Sequence, residues 1–360
     1  MTWYTDGDVT MIFKLFQSKG KLGVDIGTHA IKIVELGKES GRFSLLNYGI
    51  FAFPETGTGT TPEERDAFLT QGIKQLIEQC KFSSVDAVAA LPPFSLFTTV
   101  IEMPYLSEDD LAKAIPFEAR KYVPIPLSEV VLDWSIIGVN EAAPGSTTPP
   151  TVEIFIAAVP REETARYQAI MQAAGLNLVA LELQNTGLIR GLLGNDLSPT
   201  AVVDIGGRGT TIIVVNKGYE RVNRSYEVGS FEITKSIAHA LNISAGKAED
   251  LKMQYGMREG DDNVVRDSII SLVDLIVFET SKTIAGYEES KNTKIGRVVL
   301  TGGLVNMPSF VEYFTKRLAR DVIVGNAFSR VVFPQQLAPV IQELSNTLAV
   351  ATGLAMREES

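Results

Sequence analysis

Thiol and imidazole side chains are nearly absent from this sequence. Its 360 residues contain one cysteine, Cys80, and two histidines, His29 and His239. One thiol cannot form a disulfide within a chain, and so few sulfur and nitrogen ligands argue against a zinc cluster or a cysteine–histidine catalytic pair. These shortages are typical of a protein from a reducing compartment, and Cys80, which lies in a helical pattern, is predicted to be an inert core residue.

Long apolar runs and an excess of positive charge are also missing. The sequence has no run of about 18 apolar residues, so we expect no membrane span. The formal net charge is −10 and the basic residues are scattered, which argues against a nucleic-acid partner because phosphates require a basic surface. Residues 11–21 are apolar and basic, and they are either a weak amphipathic anchor on a membrane surface or a lead-in that packs on the first domain.

The remaining composition is that of a soluble globular protein. Hydrophobic residues make up 45% and charged residues 21% of the chain, and its length allows two or more domains. Hydrophobic periodicity predicts a β-β-β-α-β order for residues 22–91 and a β-α-β-β-α order for residues 95–174. The sequence therefore predicts an α/β protein with a small additional unit.

The first motif that carries chemistry is a strand-turn-strand stretch from Leu22 to Leu36. Its turn contains Asp25-Ile26-Gly27-Thr28. Glycine lets backbone amides approach phosphate oxygens, and Thr28 can add a hydroxyl donor. Asp25, at the end of the strand, is placed to hold a hydrated Mg²⁺ beside those phosphates. The alternative is an ordinary β-hairpin in which Asp-Ile-Gly is turn chemistry.

Two further motifs follow the same logic. Residues 201–215 repeat the buried strand, the Asp-Ile-Gly and the second strand, with Asp204 in the position of Asp25. Residues 297–307 form a strand that ends in Thr-Gly-Gly just before a helix predicted at 308–320. Glycines there allow the backbone to lie flat against a purine or ribose, and the N-terminus of the helix faces the phosphates. The chain is therefore predicted to carry two phosphate-binding hairpins and a nucleoside-binding turn.

The three motifs, in this order, resemble those of the superfamily of actin, the sugar kinases and Hsp70. Residues 11–356 are more specifically similar to the PilM family, the actin-like cytoplasmic proteins of type IV pilus assembly, which are related to FtsA. The segments 117–126 and 248–252 contribute to this similarity. The resemblance implies an actin-like (ribonuclease H-like) two-domain ATPase fold with an inserted interaction subdomain of the FtsA and PilM type.

The resemblance also implies domain boundaries. We expect an N-terminal lead-in at 1–21, a first actin-like domain at 22–97 and 179–198, an inserted interaction subdomain at 98–178, and a second actin-like domain at 199–360. The second domain would include a helical lobe at about 230–295. The final helix, predicted at about Gln342 to Met356, would return to the first domain, because its small residues permit a close approach to the first hairpin.

ATP and Mg²⁺ between the domains are the cofactors that the resemblance implies. Asp25 and Asp204 would face each other as the metal-binding pair. Residues expected to bind the nucleotide are Gly27, Thr28, His29, Lys32, Gly206, Gly207, Arg208, Gly209, Thr210, Gly229, Ser230, Glu249, Lys252, Gly302, Gly303, Leu304 and Asn306. Arg208 stands where many relatives carry glycine or serine, and it either aids the phosphates or is a solvated turn residue. His29 likewise either contacts the ligand or is an exposed turn residue.

Three acidic or basic positions have two interpretations each. Glu249 and Lys252 lie three residues apart on one helical face, so they either contact ribose and adenine, as the resemblance implies, or form a surface ion pair. Glu182 occupies the place where related ATPases carry a Glu or Gln that orients the attacking water. The alternative for Glu182 is an N-cap of the next helix.

The insert implies a protein partner. In the PilM family, a groove beside it receives the cytoplasmic N-terminal tail of the bitopic inner-membrane protein PilN, which would make this chain cytoplasmic and peripheral at the inner membrane. An extended tail gains backbone hydrogen bonds and side-chain pockets. Candidate groove residues, which otherwise belong to the core of the insert, are Phe117, Tyr122, Val123, Ile125 and Trp134. Contacts with other pilus platform or motor proteins and homo-oligomerisation are further expectations.

Three functions therefore compete. The first is an ATP-binding scaffold of pilus assembly with slow hydrolysis at most, in which ATP clamps the domains and so tunes the groove. The second is an FtsA-like cell-division filament, which predicts a C-terminal amphipathic membrane helix; residues 355–360 are too short and acidic for one. The third is a sugar-kinase-type enzyme, which requires a catalytic Asp near a substrate cleft, and the sequence identifies no such residue.

Overall fold

The computed structural model describes residues 20–53, 59–141, 149–260 and 263–358. Of the predicted lead-in at 1–21, all but the last two residues lie outside these ranges. The strands are β1 (Lys21–Ile26), β2 (Ala30–Glu39), β3 (Arg42–Ala52), β4 (Asp86–Leu91), β5 (Phe97–Pro104), β6 (Val130–Asn140), β7 (Thr151–Pro160), β8 (Asn177–Leu183), β9 (Thr200–Ile205), β10 (Thr210–Asn216), β11 (Tyr219–Tyr226), β12 (Arg297–Thr301), β13 (Val322–Val324) and β14 (Val331–Val332). The helices are α1 (Pro62–Cys80), α2 (Glu108–Ala119), α3 (Arg161–Ala173), α4 (Gln184–Leu193), α5 (Ser230–Leu241), α6 (Ala245–Tyr255), α7 (Val264–Lys291), α8 (Phe310–Leu318), α9 (Ala338–Leu344) and α10 (Ala349–Ala355).

Apart from the two-residue strand β14, two sheets share one strand order. The first sheet runs β14-β3-β2-β1-β4-β8 and the second runs β11-β10-β9-β12-β13. In each sheet, three strands form antiparallel hairpins and the strand that begins the first hairpin also pairs in parallel with the next strand of the sheet. The repeated Asp-Ile-Gly motif therefore belongs to a repeated fold, and the prediction that each copy lies on a hairpin is confirmed.

Helices α4 and α10 pack together at the centre, and apolar residues of both sheets are buried around them. Their backbones nearly touch, because a Cβ built on Gly353 would lie 1.7 Å from the carbonyl oxygen of Gly187. A Cβ built on Gly23 in β1 would lie 1.9 Å from the carbonyl oxygen of Ala351. The expected approach of small residues in the last helix to the first hairpin is confirmed.

The prediction of one continuous final helix is wrong, because the chain forms α9 and α10 with four residues between them. Tertiary hydrogen bonds hold this connection: the hydroxyl of Ser345 accepts from the amide of Ala327 at 3.0 Å, and the carbonyl of Asn346 accepts from the hydroxyl of Thr301 at 3.4 Å. The helix predicted at 308–320 is the shorter α8, and a 3₁₀ turn, Gly303–Asn306, precedes it.

A third sheet, of order β5-β7-β6, is formed by the part of the chain that connects β4 to β8. We call residues 97–160 the insert. Ile154 and Ile156 of β7 and Ile115 of α2 are buried in its own core. The β-α-β-β-α order predicted for residues 95–174 is confirmed, with α3 as its last helix. Across the described parts of the chain, no helix combines the length and the apolar character that crossing a membrane requires.

A buried carboxyl group lies where the insert meets the second sheet. Glu220 of β11 accepts hydrogen bonds from Nδ2 of Asn185 at 2.8 Å and from Oγ1 of Thr98 at 3.4 Å. Burial raises the pKa of Glu220 to about 7, although these hydrogen bonds oppose the rise. The side chain is therefore protonated in the folded protein at mildly acidic pH.

Glu220→Gln should remove a pH-dependent loss of stability. Because the pKa of Glu220 rises from 4.5 to about 7 on folding, its contribution is fully present below pH 4.5 and is lost as the pH rises toward 7. The variant keeps a neutral side chain, so its free energy of unfolding relative to wild type should rise by roughly 3 kcal/mol between these pH values. Urea unfolding at three pH values measures this difference, and a difference that is independent of pH would contradict the assignment.

Candidate nucleotide-binding site

The first hairpin turn presents an acid, a base and free backbone amides. The amide of Gly27 closes the turn by donating to the carbonyl of Ala30 at 3.0 Å. Within the described ranges, the next two amides, those of Thr28 and His29, donate to no backbone acceptor. Asp25 is 4% exposed and pairs in register with Lys32, whose Nζ lies 3.1 Å from its Oδ2. The turn thus combines anion-binding groups with a carboxylate.

The second hairpin turn is held by the start of α5. The amide of Gly206 donates to the carbonyl of Gly209 at 2.9 Å, and the amides of Ser230 and Phe231 donate to the carbonyls of Gly206 and Gly207 at 2.9 and 2.8 Å. A Cβ on Gly229 would lie 2.6 Å from the carbonyl oxygen of Gly207. The first amides of α5 therefore fix the turn. The close contact at position 229 requires glycine there.

The two turns meet each other. A Cβ built on Gly207 would lie 3.1 Å from Oγ1 of Thr28, and the rings of His29 and Phe231 pack edge to face at 4.7 Å between centroids. Burial lowers the pKa of His29, while the field of Glu249 opposes this effect. His29 therefore contacts the opposite side of the cleft and is neutral at neutral pH, so the exposed-turn interpretation is incomplete.

Lys32 links the two acids electrostatically. Burial alone would lower the pKa of Lys32, but its contact with Asp25 and the field of Asp204 raise it above the usual value. Burial raises the pKa of Asp204 to about 6, a rise that Lys32 opposes and Asp25 reinforces. Both carboxylates thus act on the same ammonium group, which is the arrangement expected if they face one cleft.

The side chains of Asp25 and Asp204 are of the chemical type that Mg²⁺ takes as ligands. This ion prefers one or two carboxylates together with phosphate oxygens and water over a site made by protein alone. Asp25 and Asp204 offer two carboxylates, and the described residues contain no group of three or more His, Cys, Asp or Glu that could hold a metal ion. The chemistry of the donors therefore suits Mg²⁺ that arrives with a phosphate ligand.

The Thr-Gly-Gly turn follows β12, whose Thr301 pairs in register with Asp204. Gly302 has φ of +91°, and a Cβ there would lie 2.2 Å from the carbonyl oxygen of Ile205, whereas Gly303 faces open space. Gly302 is therefore required by packing between strands. Of the two glycines, Gly303 is the one that leaves room for a nucleoside.

The two nucleotide-binding residues predicted beyond this turn, Leu304 and Asn306, have side chains that contact other parts of the protein. Leu304 is 1% exposed and belongs to the core of the second sheet, so only its backbone is available to a ligand. Asn306 is exposed, and its Nδ2 donates to the carbonyl of Glu343 at 3.3 Å. Side-chain contact between Leu304 and a nucleotide is therefore ruled out.

A buried ammonium group connects α5 and α6. Lys252 is 1% exposed, and its Nζ donates to Oγ of Ser230 at 2.6 Å, to Oγ1 of Thr234 at 3.0 Å and to Oε2 of Glu249 at 2.6 Å. Burial lowers the pKa of Lys252, and Glu249 opposes that effect. The surface-pair interpretation is wrong for Lys252, whereas the side chain of Glu249 is half exposed. Lys252 bonds to Ser230, and the next residue, Phe231, packs on the ring of His29, so this ammonium lies near the first hairpin turn.

The prediction that Glu182 orients a catalytic water is wrong. Its carboxylate is 7% exposed and accepts two hydrogen bonds of 2.8 Å from Arg190 and one of 2.6 Å from Arg357. Two arginines therefore neutralise it and tie the end of the chain to β8. The N-cap alternative is also wrong, because α4 begins after Leu183 with no side-chain cap.

Of two residues at the second turn, Thr210 differs from expectation, whereas the two interpretations of Arg208 stay open. Thr210 is buried, and its hydroxyl donates to the carbonyl of Val228 at 2.7 Å, so it holds the protein together rather than a phosphate. Arg208 is exposed at the tip. Its side chain is free to move toward either a phosphate or solvent, so both interpretations of Arg208 stand.

Sequence reasoning missed Gln184. This residue begins α4, and its Nε2 donates to Oδ2 of Asp204 at 3.2 Å. The signal that could have found it is an amide side chain directly after the carboxyl end of a parallel strand, where the next helix starts. Gln184, two residues beyond Glu182, is the side chain from this segment that contacts Asp204.

The insert has a second candidate site, a groove of about 390 Å³. Its lining residues are Arg120, Val123, Ile125, Pro126, Leu127 and Ser128. Phe117 is 67% exposed, and Tyr122 and Ile125 are also exposed. The core interpretation is therefore wrong for these three residues, whereas Val123 is buried and Trp134 is partly buried against the core of the insert.

A duplicated sheet with two opposed Asp-Ile-Gly hairpins and a Thr-Gly-Gly turn defines an actin-like ATPase fold. MreB 5 of Spiroplasma citri bound to AMPPNP superposes with a TM-score of 0.53 over 93% of this chain and 95% of that chain, at 12% identity. A family model described as type IV pilus assembly protein PilM matches residues 23–359. The chain therefore belongs to the PilM family.

Two further comparisons agree with this assignment. The PilM-PilN type IV pilus biogenesis complex has a chain that superposes with a TM-score of 0.79 over 94% of this chain and 98% of that chain, at 23% identity. Over 191 residues, the chain is 27% identical to the cell division protein FtsA of Bacillus subtilis (strain 168). That match spans 46% of this chain and only 41% of FtsA.

Proposed function

We propose that this chain is an ATP-binding scaffold of type IV pilus assembly that receives the N-terminal tail of a PilN-like inner-membrane protein. The observation that carries the nucleotide half is the meeting of the two hairpin turns, where a Cβ built on Gly207 would lie 3.1 Å from Oγ1 of Thr28 and the ring of His29 packs on Phe231. Family membership and the similarity to a PilM-PilN complex support the partner and favour this function over a cell-division filament or a sugar-kinase-type enzyme.

In this proposal, ATP lies between the two hairpin turns. Asp25 and Asp204 hold Mg²⁺, and Lys32 and the amides of Thr28 and His29 contact the phosphates, since backbone amides and an ammonium are suited to anions. The half-exposed carboxylate of Glu249 is available for ribose hydroxyls. The domain boundaries expected from the sequence belong to the same proposal.

Hydrolysis in this arrangement is slow. The residue that we assign to water positioning is Gln184, because it contacts Asp204 at 3.2 Å, and an amide can orient a water molecule but cannot take its proton. Glu182, paired with two arginines, has no part in it. The chain therefore uses ATP mainly to set the relative position of its two sheets and of the insert.

The tail binds in the groove of the insert. Four of the six residues that line the groove are apolar and the other two are Arg120 and Ser128, and exposed Phe117 and Tyr122 lie in the adjoining sequence. Apolar pockets beside an accessible backbone suit an extended peptide. This contact would place the chain at the inner membrane as a peripheral protein, with further platform or motor proteins as additional partners.

Ile125→Asp should weaken tail binding by at least tenfold. A carboxylate in the apolar groove would have to be desolvated by the bound peptide, which costs more than the roughly 1.4 kcal/mol that corresponds to tenfold. Fluorescence anisotropy of synthetic peptides with the N-terminal sequences of PilN-like proteins measures the affinity.

The control for this experiment is Val332→Asp, which changes an apolar residue of the first sheet that is 56% exposed and lies outside the groove. This variant should bind the peptides as wild type does. Equal affinities for both variants, or no binding of any peptide to wild type, would refute the proposed partner contact.

A further inference from the structure

Helix α7 carries a row of exposed side chains on the side that faces away from its core. Its buried side includes Ile269, Val273 and Ile276, which pack into the core of the second sheet. On the other side, exposed positions recur at alternating intervals of four and three residues, which is the spacing of a seam along which helices pair. We call these positions the α7 seam: Ser271, Leu275, Phe278, Lys282, Ala285 and Glu289.

The middle of the α7 seam is apolar. Phe278 is 60% exposed and Leu275 is 42% exposed, and residues three apart on a helix are neighbours on its surface. The Nζ atom of Lys282 lies 6.0 Å from the centroid of the Phe278 ring. Two large apolar side chains therefore stand together in water, and association with another surface would remove them from it.

Charged side chains of opposite sign flank this apolar pair. Asp267 and Asp274 precede its centre and lie about two turns apart on one edge of the seam. Lys282 follows it, with a side chain that is 66% exposed and that lies 3.6 Å from Glu279. Asp274 contacts Arg317 and is still 35% exposed. The seam is therefore acidic before its apolar middle and basic directly after it.

A second copy of α7 in antiparallel orientation matches this order of charges. A two-fold axis between positions 276 and 277 brings Leu275 of each copy level with Phe278 of the other. Lys282 of the second copy then falls between the levels of Asp267 and Asp274. Its level is about 6 Å from that of the first acid and about 4.5 Å from that of the second along the helix axis. Two-fold symmetry makes each of these contacts twice.

The charges favour a second copy over a lipid surface. Three acids, Asp267, Asp274 and Glu289, lie on or beside the seam, against the single base Lys282 within it, and an anionic bilayer repels such a face. In the antiparallel register, Glu289 comes level with Val264 of the second copy, which is apolar and 49% exposed. The same helix thus supplies both the apolar pair and the opposite charges that the seam requires.

We propose that the α7 seam is a homodimer interface in which two copies pair antiparallel, with Leu275 and Phe278 at the centre and Lys282 of each copy between Asp267 and Asp274 of the other. This interface is separate from the nucleotide cleft and from the groove of the insert. A helix of 28 residues is about 42 Å long and its seam about 10 Å wide, so the pair buries about 800 Å² in total.

This area sets the strength of the dimer. Stable interfaces bury about 1,200–2,000 Å² in total, and smaller ones belong to weak and transient complexes. The dimer is therefore reversible, with a Kd on the order of 10–100 µM. Protein at low micromolar concentration is monomeric.

Sedimentation velocity of the full chain, from about 5 to about 300 µM, tests this interface. For wild type, the weight-average sedimentation coefficient should rise toward that of a dimer. Phe278→Asp should remain monomeric over the whole range, and Leu275→Asp gives the same readout if Phe278→Asp does not fold. Val332→Asp is the matched control, because it changes an apolar residue of the first sheet that is 56% exposed. It should associate as wild type does.

Charge reversal tests whether the occupant is a second copy in this register. Lys282→Asp should raise the Kd of the dimer at least about fivefold, because acids then face acids at two symmetric places. Adding Asp267→Lys to the same chain restores opposite charges across the interface. The double variant should return to within about threefold of the wild-type Kd.

Three outcomes would overturn the proposal. The first is a wild-type chain that stays monomeric at the highest concentration, which would leave the seam to a different protein. The second is association of Phe278→Asp and Leu275→Asp with the wild-type Kd, which would place the contact elsewhere on the surface. The third is a double variant that associates as weakly as Lys282→Asp alone.

Discussion

Gly353→Ala is expected to lower the free energy of unfolding by at least about 3 kcal/mol. The added methyl group would lie 1.7 Å from the carbonyl oxygen of Gly187 and 2.9 Å from the amide nitrogen of Gly191. Both neighbours are backbone atoms of α4, so relief requires separation of two helices that carry the shared core. Urea unfolding monitored by circular dichroism measures the change.

Gly286→Ala is the control for this prediction. Gly286 lies within α7, and a Cβ there would meet nothing within 4 Å. Because alanine favours the helix more than glycine does, this variant should be more stable than wild type by about 0.5–1 kcal/mol. A Gly353→Ala protein within about 1 kcal/mol of wild type would show that α4 and α10 can separate at little cost.

Asp204→Asn is expected to weaken binding of ATP–Mg²⁺ by at least about tenfold while the protein stays folded. Asparagine keeps the shape of the side chain but removes one of the two carboxylates available to the metal ion. With EDTA present, binding of free ATP should be unchanged or tighter, because a negative charge near the phosphates has been removed. Calorimetric titrations with and without Mg²⁺ measure both effects.

Asp321→Asn is the matched control. Asp321 is exposed, and its backbone carbonyl accepts from the amide of Val298 near the start of β12. Asp204 pairs with Thr301 at the other end of β12, so Asp321 lies away from the predicted metal site. This variant should bind ATP–Mg²⁺ as wild type does. A loss of affinity in Asp204→Asn that is the same with and without Mg²⁺ would argue against a metal-binding role.

The hairpins could be predicted because their signals are local. A strand that ends in Asp-Ile-Gly and resumes three residues later leaves few alternatives to a turn, and the second copy at Asp204 repeats the same constraint. The Thr-Gly-Gly turn was equally local. The strand order of both sheets then agrees with the actin-like resemblance.

The errors arose where distant residues decide the role of a side chain. Glu182 is neutralised by Arg190 and by Arg357, and Arg357 lies 175 positions further along the chain. The hydroxyl of Thr210 is used by the carbonyl of Val228, and Lys252 is buried by contacts with α5. Nothing in the sequence around these residues specifies those partners.

The sequence also did not predict which aromatic side chains of the insert are exposed. Phe117 and Tyr122 are large aromatic residues of the kind often found in cores, yet both are exposed, Phe117 on α2 and Tyr122 in the segment after it. The insert is small, and its sheet has one core face packed by Ile115 and neighbouring residues. The aromatic side chains that lie on the outside of α2 and after it do not belong to that core, and they are therefore exposed to a partner.

The most direct test of the nucleotide cleft is a crystal structure of this chain with Mg²⁺ and AMPPNP. We predict that the metal ion lies between Asp25 and Asp204 and that the phosphates lie against the turns at 27–29 and 206–209. A nucleotide bound elsewhere, or a metal ion that contacts neither carboxylate, would contradict the account.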